Sequence, residues 1–339
     1  AVEDALVGQS FEVAHLGGRE IVVEDDEIDL QRTGAFPDLG GFSLADVVGG
    51  VNPLSGLENP VRLPHTRRVG EARELVERMN GRIGVEEASD GGAAFFVELR
   101  RVEVVEETGS TNADLTSRAA AGEDIGGAVL LAEYQSAGRG RHGRSWSAPA
   151  RSQLSMSVAV ATEGVPPVGW GWLPLLTGLV VAQTVRDLGV DVGLKWPNDV
   201  LVGDGKLAGI LAEVSAPVVV IGLGLNVSFD ETERPDPNAV SLSMLGHDAD
   251  RNELAISLLQ GLSARLAHWR ATAGADADLA ADYRNASTTI GTQVRAVLPG
   301  DSEIVGLATG IDDAGRLLID DAGTTVTVSA GDITHLRPA

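Results

Sequence analysis

The residues best suited to chemistry in this sequence form an arginine- and glycine-rich stretch, QSAGRGRHGRSW, at positions 135–146. Arg139, Arg141 and Arg144 stand among glycines, whose backbone N–H groups could join the guanidinium groups around a phosphate or a carboxylate. Trp146 adds a flat aromatic face for a ring-shaped ligand. An anion-binding loop, a solvated linker and a nucleic-acid-binding tail all fit this composition, which buries too little apolar surface to order an empty loop.

A second candidate segment, KWPND at 195–199, contains one of only two lysines in a chain that has 24 arginines. Because the composition favours arginine so strongly, a lysine here indicates either a position that needs a compact ammonium group or a surface lysine that remains by chance. Pro197 cannot donate to a β-ladder, so the strand is expected to be bulged or to lie at a sheet edge, turning Lys195, Asn198 and Asp199 toward a cleft. The alternative is an edge-strand proline with solvated polar neighbours.

The segments around these motifs alternate between strand and helix patterns. Strand-like runs cover residues 126–134, 153–161, 190–203, 206–215 and 217–228, and an Asp204-Gly205 turn predicts a hairpin between the third and fourth of them. Helices are predicted after an N-cap at Ser110, over 173–189 and over 252–272. The pattern predicts an α+β fold in which helices back a mixed, largely antiparallel sheet.

Composition divides the chain into three segments. Residues 102–285 hold the mixed domain, and residues 287–339 contain short strand-like runs between PGDS and DDAG turns, which predict a small β-barrel. Residues 1–100 form an uncertain α/β segment, in which GEARELVERMNG predicts a helix over 70–81 and ASDGG the turn of a hairpin. Residues 70–100 weakly resemble the end of a histidine-kinase-type ATPase domain, without its Asn-bearing helix or Gly-rich lid.

The composition, the net charge and the length of the apolar runs argue against several classes of protein. The absence of cysteine excludes disulfides and thiolate metal sites, and the six histidines lack metal-ligand spacing. The net charge of −23 argues against general attraction to nucleic-acid phosphates. The apolar run at 170–185 is interrupted by Pro174 and Gly178 and is shorter than the roughly 20 residues that a bilayer requires. We therefore expect a cytoplasmic protein that neither spans a membrane nor binds DNA.

Four motifs taken together are similar to those of the biotin protein ligases. They are ETGSTN (107–112), AEYQSAGRGRHGRSW (132–146), KWPNDVLVGDGKLAGIL (195–211) and GLGLNV (222–227), in the order and at the separations of that family. The resemblance runs from about residue 103 to the C-terminus. It implies a catalytic domain like that of class II aminoacyl-tRNA synthetases, followed by an SH3-like β-barrel.

The resemblance implies a reaction in two steps. The carboxylate of biotin attacks the α-phosphate of ATP, which releases pyrophosphate and leaves biotinyl-5′-AMP. A lysine of a biotin carboxyl carrier domain then attacks this mixed anhydride. Biotin, ATP and Mg²⁺ are thus the implied small molecules and the carrier domain is the implied partner, while the oligomeric state is left open, with a homodimer as one option.

The functional positions of the family fall on identifiable residues of this chain. Those implied for biotin are Ser110, Thr111, Asn112, Gln135, Gly138, Arg139, Gly140, Arg141, Lys195 and Gly209. Those implied for ATP or the adenylate are Arg141, Arg144, Trp146, Asn198 and Asn226, with Mg²⁺ near Asp199 but without a metal cage built by the protein. The implied catalytic residues are Lys195, Arg139 and Arg141, and residues 138–141 imply a loop that closes over the ligand and excludes water.

Two other functions compete with this interpretation. Lipoate ligases and octanoyltransferases share the catalytic fold but carry different loop signatures, and a chain without cysteine cannot supply the octanoyltransferase nucleophile. Some biotin ligases are also transcriptional repressors that bind DNA through an N-terminal winged helix. Residues 1–100 show no clear helix-turn-helix pattern and carry 9 basic and 19 acidic side chains, so repressor activity is not expected.

Overall fold

The computed structural model describes residues 101–298, 302–329 and 332–335 and the backbone of four short N-terminal strands. The chain divides into two compact units, Ala1–Phe96 and Val97–Ala339. The arginine-rich stretch and the KWPND segment both belong to the second unit.

The described part of the first unit consists of two antiparallel strand pairs. The strands are β1 (Phe11–Leu16) with β2 (Arg19–Glu24), and β3 (Glu86–Glu87) with β4 (Ala93–Ala94). The second pair confirms the hairpin predicted around ASDGG. The helix predicted over 70–81 lies outside the described residues.

A seven-stranded sheet forms the centre of the second unit. In spatial order its strands are β5 (Arg101–Thr108), β6 (Ala128–Gln135), β7 (Gln153–Ala161), β11 (Val218–Asn226), β10 (Gly205–Ser215), β9 (Asp199–Val202) and β8 (Gly193–Lys195). Only β5 and β6 run parallel, and every other neighbouring pair is antiparallel. The predicted class, α+β with a largely antiparallel sheet, is confirmed.

Four helices accompany this sheet in the part of the chain that the structure describes. They are α1 (Thr111–Ala120), α2 (Leu173–Asp187), α3 (Arg251–Ala271) and α4 (Ala277–Ala286). The first three confirm the predicted helices, and α1 begins at the predicted N-cap, where the Ser110 hydroxyl accepts from the Ala113 N–H at 3.4 Å. The sequence analysis does not predict α4, because its ten residues, ADLAADYRNA, carry too little apolar periodicity.

The apolar segment Pro167–Arg186, which includes α2, belongs to the core. It is long and apolar enough to cross a membrane by length and composition, but 72% of its most apolar window is buried inside the protein. At Gly178 the helix lies against Leu194 and Ile210 of the sheet, and Gly261 of α3 lies against Val180. Packing on both sides explains this segment as a core helix.

The run at 190–203 forms two strands, so the single strand predicted there is wrong. β8 ends at Lys195 and β9 begins at Asp199, and these two residues pair across the turn. The interruption falls at Pro197, which cannot continue the ladder. β8 is the outermost strand of the sheet, which confirms the predicted edge position. The hairpin predicted at 204–205 is confirmed by the antiparallel pairing of β9 with β10.

The C-terminal strands form a separate antiparallel sheet that confirms the predicted SH3-like unit. In spatial order they are β15 (Thr324–Val328), β14 (Leu317–Asp321), β13 (Glu303–Ile311), β12 (Gln293–Val297) and β16 (Asp332–His335). Two buried indoles attach this sheet to the catalytic segment, because Trp172 and Trp196 each donate at 3.0 Å to carbonyls of the β13–β14 turn. The C-terminal sheet therefore lies against the KWPND hairpin.

Candidate active site

The four motifs meet around a single cavity of about 700 Å³. Every residue implied for biotin or the adenylate lines it except Gly138. The residues in contact with the cavity are Ser110, Thr111, Asn112, Gln135, Arg139, Gly140, Arg141, Arg144, Trp146, Lys195, Asn198, Asp199, Gly209 and Asn226. The fold thus brings together side chains from segments more than one hundred residues apart.

The charge of this cavity is opposite to that of the protein. Among the described residues its lining contains five cationic side chains, those of Arg139, Arg141, Arg144, Lys195 and Lys206, and three acidic ones, those of Asp199, Asp204 and Asp236. The whole chain carries a net charge of −23. A concentration of positive charge inside an acidic protein favours an anionic ligand at this place.

The first turn of α1 forms one wall of the cavity through a buried hydrogen-bond network. The amide oxygen of Gln135 accepts from the backbone N–H and the hydroxyl of Thr111, at 2.9 and 3.2 Å. The hydroxyl of Ser157 lies 2.7 Å from the Thr111 hydroxyl and donates to Asn112 Oδ1 at 2.6 Å. These polar side chains are buried and hold one another in fixed orientations, which suits recognition of a compact polar group.

The arginine-rich stretch is folded as a small hairpin. The backbone N–H of Trp146 donates to the Gly138 carbonyl at 2.8 Å, and that of Gly140 donates to the Arg144 carbonyl at 2.7 Å. Gly138 is required at the base of the hairpin, because a Cβ there would collide with the Trp146 carbonyl. Backbone hydrogen bonds thus pair the two sides of this loop, and Gly138 serves that pairing.

Trp146 lies on a floor made by glycines. Gly209 of β10 and Gly224 of β11 pair directly opposite each other, and a Cβ on Gly209 would stand 2.9 Å from the Trp146 ring. The indole N–H donates to Gln153 Oε1 at 2.7 Å, which fixes the rotation of the ring. The glycines therefore create the space in which a flat side chain and a flat ligand can lie next to the sheet.

The two lysines of the chain both line the cavity but have different partners. Lys206 Nζ lies 2.7 Å from Asp199 Oδ1 and 5.3 Å from the centre of the Trp146 ring. Lys195 has no ion-pair partner within the described residues. Its charge is therefore available to an incoming anion, whereas that of Lys206 is partly neutralised.

Two asparagines connect the motifs to each other. Asn198 accepts from Arg141 at 3.3 Å and donates to the Ile210 carbonyl at 3.2 Å, which links the arginine-rich hairpin to the KWPND turn. Asn226 donates to the carbonyls of Lys206 and Val240, both at 3.1 Å. Both side chains support the shape of the cavity as well as lining it.

The described residues do not provide a protein-built metal site. No group of three or more histidine, aspartate or glutamate side chains is placed to hold an ion in the described part of the chain. Asp199 is the implied Mg²⁺ residue, and one of its oxygens is already paired with Lys206. The charge of Asp199 also acts on Tyr283 of α4, which is buried. Burial, with a smaller contribution from Asp199, raises the pKa of the Tyr283 hydroxyl, so the hydroxyl stays protonated.

The sequence analysis misses two residues that hold the site together, Ser157 and Glu213. The first belongs to a polar series, Gln153, Ser155 and Ser157, on one face of β7, and that alternation is a signal for a polar sheet face. Glu213 pairs through Oε1 with Arg139 of the hairpin and accepts from Asn112 Nδ2 on Oε2 at 2.9 Å. Nothing near Glu213 in the sequence indicates these two long-range contacts.

Glu213→Ala is expected to raise the KM for biotin, the ligand implied for the wall formed by α1, about fivefold. The substitution removes the carboxylate that binds both Asn112 and Arg139. The effect is moderate because solvent partly screens the ion pair with Arg139. Steady-state kinetics with biotin would measure the effect. Glu106→Ala, which breaks an exposed pair with Arg151 outside the cavity lining, is the matched control and is expected to leave KM unchanged. Equal KM values for the two variants would contradict this role of Glu213.

Models of two protein families match the chain. Residues 106–229 match the "Biotin/lipoate A/B protein ligase family", and residues 289–336 match the "Biotin protein ligase C terminal domain". Both matches lie within the region that carries the resemblance noted in the sequence. Neither reaches residues 70–100, so the resemblance of that segment to a histidine-kinase-type ATPase has no support.

The curated relatives include proteins with one and with two activities. The chain is 56% identical to the biotin–[acetyl-CoA-carboxylase] ligase of Mycobacterium tuberculosis over 243 residues, which are 70% of this chain and 90% of the relative. It is 37% identical to the bifunctional ligase/repressor BirA of Escherichia coli over 238 residues, 68% of this chain and 72% of the relative.

A solved structure has the same fold. The biotin protein ligase of Aquifex aeolicus, determined in complex with biotin and ATP, aligns with a TM-score of 0.60 and 24% sequence identity, covering 71% of this chain and all of the other. The family matches, the relatives and the shared fold agree with one another. The chain belongs to the biotin protein ligases of the biotin/lipoate A/B protein ligase family.

Proposed function

We propose that this chain is an ATP-dependent biotin protein ligase, which activates biotin to biotinyl-5′-AMP and transfers biotin to a lysine of a biotin carboxyl carrier domain. The observation that carries the proposal is the convergence of four ligase motifs on one positively charged cavity. The 56% identity to a biotin–[acetyl-CoA-carboxylase] ligase supports the same activity and carrier class. Because the reaction consumes ATP, we place the enzyme in the cytoplasm.

In the first step, an oxygen of the biotin carboxylate bonds to the α-phosphorus of ATP and the bond to pyrophosphate breaks. Negative charge gathers between the two reactants, where Lys195, Arg139 and Arg141 would neutralise it. The ammonium of Lys195 suits the most crowded position, because it is compact and has no acidic partner in the described structure. The protein thus contributes position and charge and does not require a covalent intermediate of its own.

Biotin would occupy the side of the cavity built by α1 and β6. The hydroxyl and amide groups of Ser110, Thr111, Asn112 and Gln135 can donate to and accept from its ureido group. Gly209 would serve this side of the cavity by leaving room for the Trp146 ring next to the sheet. The adenylate would then lie toward Arg144, Trp146, Asn198 and Asn226.

The arginine-rich hairpin would close this site from solvent. Residues 138–141 lie between the biotin wall and the KWPND turn, and Arg141 already contacts Asn198 across that gap. Exclusion of water would protect the mixed anhydride from hydrolysis until the carrier lysine arrives. The lysine Nζ then bonds to the biotinyl carbonyl carbon, the bond to AMP breaks, and the lysine proton is released.

Mg²⁺ enters this proposal only as the counter-ion of ATP. The residues near Asp199 do not fit a site that holds the ion by itself, since carboxylate ligands are too few. The phosphates of ATP would supply most of the ligands, with Asp199 as the adjacent carboxylate. No step of the reaction is assigned to the metal.

The proposal is tested by pyrophosphate release from ATP, with biotin, lipoate or no acid present. Release is expected with biotin alone, and biotin should then appear on a carrier domain of acetyl-CoA carboxylase but not on its target-lysine-to-arginine variant. Release with lipoate in place of biotin would instead favour the lipoate branch of the family. The C-terminal match to biotin protein ligases supports the biotin branch.

The relation to ligase/repressor proteins leads to a prediction about DNA. Residues 1–100 carry 9 basic and 19 acidic side chains, so we expect no retardation of operator-length duplexes in a gel-shift assay at about 100 mM salt. The assay should include biotin and ATP, since a repressor could require the adenylate. A retarded band that resists excess nonspecific duplex would overturn this prediction.

A further inference from the structure

The last strand of the C-terminal sheet reaches the reaction cavity. Ile333 of β16 lines the cavity, and His335, two residues further, lies on the same side of the strand. His335 Nε2 is 3.0 Å from the hydroxyl of Thr289, a fully buried residue that joins the catalytic domain to this sheet. Both residues lie within the match to the biotin protein ligase C-terminal domain, but neither is among the residues implied for biotin or the adenylate.

Thr288 and Thr289 hold the backbone on both sides of Lys195. On one side, the backbone N–H and the hydroxyl of Thr288 donate to the Leu194 carbonyl at 2.8 and 3.2 Å. On the other, the Trp196 N–H donates to the Thr289 hydroxyl oxygen at 3.0 Å. The position of the Lys195 side chain therefore depends on contacts made by this connecting segment.

The direction of the bond between Thr289 and His335 depends on the tautomer of the imidazole. The Thr289 oxygen accepts from the Trp196 N–H, and its own proton can be donated to His335 Nε2 when the neutral ring carries its proton on Nδ1. Burial and the nearby positive charge of Lys195 lower the pKa of His335, and the weaker attraction of Asp204 opposes them. The neutral ring with its proton on Nδ1 accepts from the Thr289 hydroxyl, which in turn accepts from the backbone next to Lys195.

We propose that His335 is a positioning residue for Lys195, acting through the Thr289 hydroxyl and the Trp196 backbone. This inference rests on the proposed adenylation of biotin. It makes the C-terminal sheet part of the reaction centre, because β16 fixes the backbone next to the residue at the reacting phosphate. His335 itself touches no reacting atom.

Protonation of His335 should therefore slow adenylation. Charging the ring turns Nε2 into a donor, so the Thr289 oxygen must accept from both His335 and Trp196 and the Thr289 proton loses its acceptor. It also adds a positive charge near Lys195 of β8, which Asp204, in the turn between β9 and β10, offsets among the described residues. Since the pKa of His335 is lowered, the neutral ring prevails at neutral pH and is lost only as the pH falls below the ordinary histidine range, about 6.5. We therefore expect the rate of adenylation to fall as the pH is lowered through this range, which gives the pH profile an acid limb.

The first experiment compares pyrophosphate release for three variants between pH 5 and pH 9. His335→Ala is expected to lower kcat about tenfold at pH 8 with little change in the KM for biotin. His335→Gln places a non-titrating acceptor near the position of Nε2, so it should keep most of the rate at pH 8 and lose the acid limb. His268→Gln, on the exposed side of α3, is the matched control and should keep the wild-type profile.

A second experiment follows the protonation of His335 without activity. The His335 ring resonance, assigned by its absence from His335→Gln, should titrate below the ordinary value in the wild type and at a higher pH in Lys195→Met. An unchanged titration in Lys195→Met, or an acid limb that survives in His335→Gln, would overturn the proposal. Titration as expected in a wild type that releases no pyrophosphate would instead mark the proposed function as the failure.

Discussion

Lys195→Arg is expected to lower the rate of biotin-dependent pyrophosphate release by about a hundredfold. The substitution keeps the charge but replaces a compact ammonium with a wide planar group that has a different reach. Lys195 is held by backbone contacts on both sides and lines the same cavity as Arg139 and Arg141. A guanidinium at this position would compete with those arginines for space around the same phosphate.

The other lysine of the chain provides the comparison. Lys206→Arg is expected to lower the rate by less than about tenfold, because a guanidinium can also pair with Asp199 and lie over the Trp146 ring. Both variants should unfold at the wild-type temperature. Equal losses in the two would show that lysine is needed generally in this cavity, and would contradict a specific role of Lys195 at the reacting phosphate.

The sequence predicts the residues that line the cavity much better than the residues that hold them. Lys195, Arg139 and Trp146 stand in motifs whose unusual composition is visible without a structure, and all three line the cavity. Glu213 and Thr289 have no such signal, because their roles depend on contacts with residues far away in the chain. A side-chain hydrogen bond between two distant segments leaves no periodic pattern in the sequence around either partner.

The elements of the fold show the same division. Helices α1, α2 and α3 and the β9–β10 hairpin are predicted because caps, apolar periodicity and turn residues are local features. The interruption of the strand at Pro197 is predicted only as an irregularity, because whether the chain bulges or turns is settled by pairing with β10 and β8. The fifth strand of the C-terminal sheet, β16, is likewise defined by its pairing with β12.

Gly224→Ala is expected to weaken adenylation about ten- to hundredfold while leaving the fold intact. A Cβ at this position would stand 2.6 Å from Trp146 Cζ2, so the ring must shift to accommodate it. Overpacking of this kind typically costs about 1–3 kcal/mol. Displacement of the ring would also break the 2.7 Å bond between the indole N–H and Gln153.

Gly310→Ala is the matched control, because this glycine of β13 has no atom within 4 Å of the added methyl group and no left-handed backbone. It should retain full activity and equal or greater stability, since alanine loses less backbone entropy than glycine on folding. Tryptophan fluorescence would report the displacement of Trp146 in Gly224→Ala, and pyrophosphate release would report its effect on catalysis. Changed fluorescence with unchanged pyrophosphate release would contradict the assignment of Trp146 to the adenylate site. Changed fluorescence together with slower release would support contact between the indole and the reacting nucleotide.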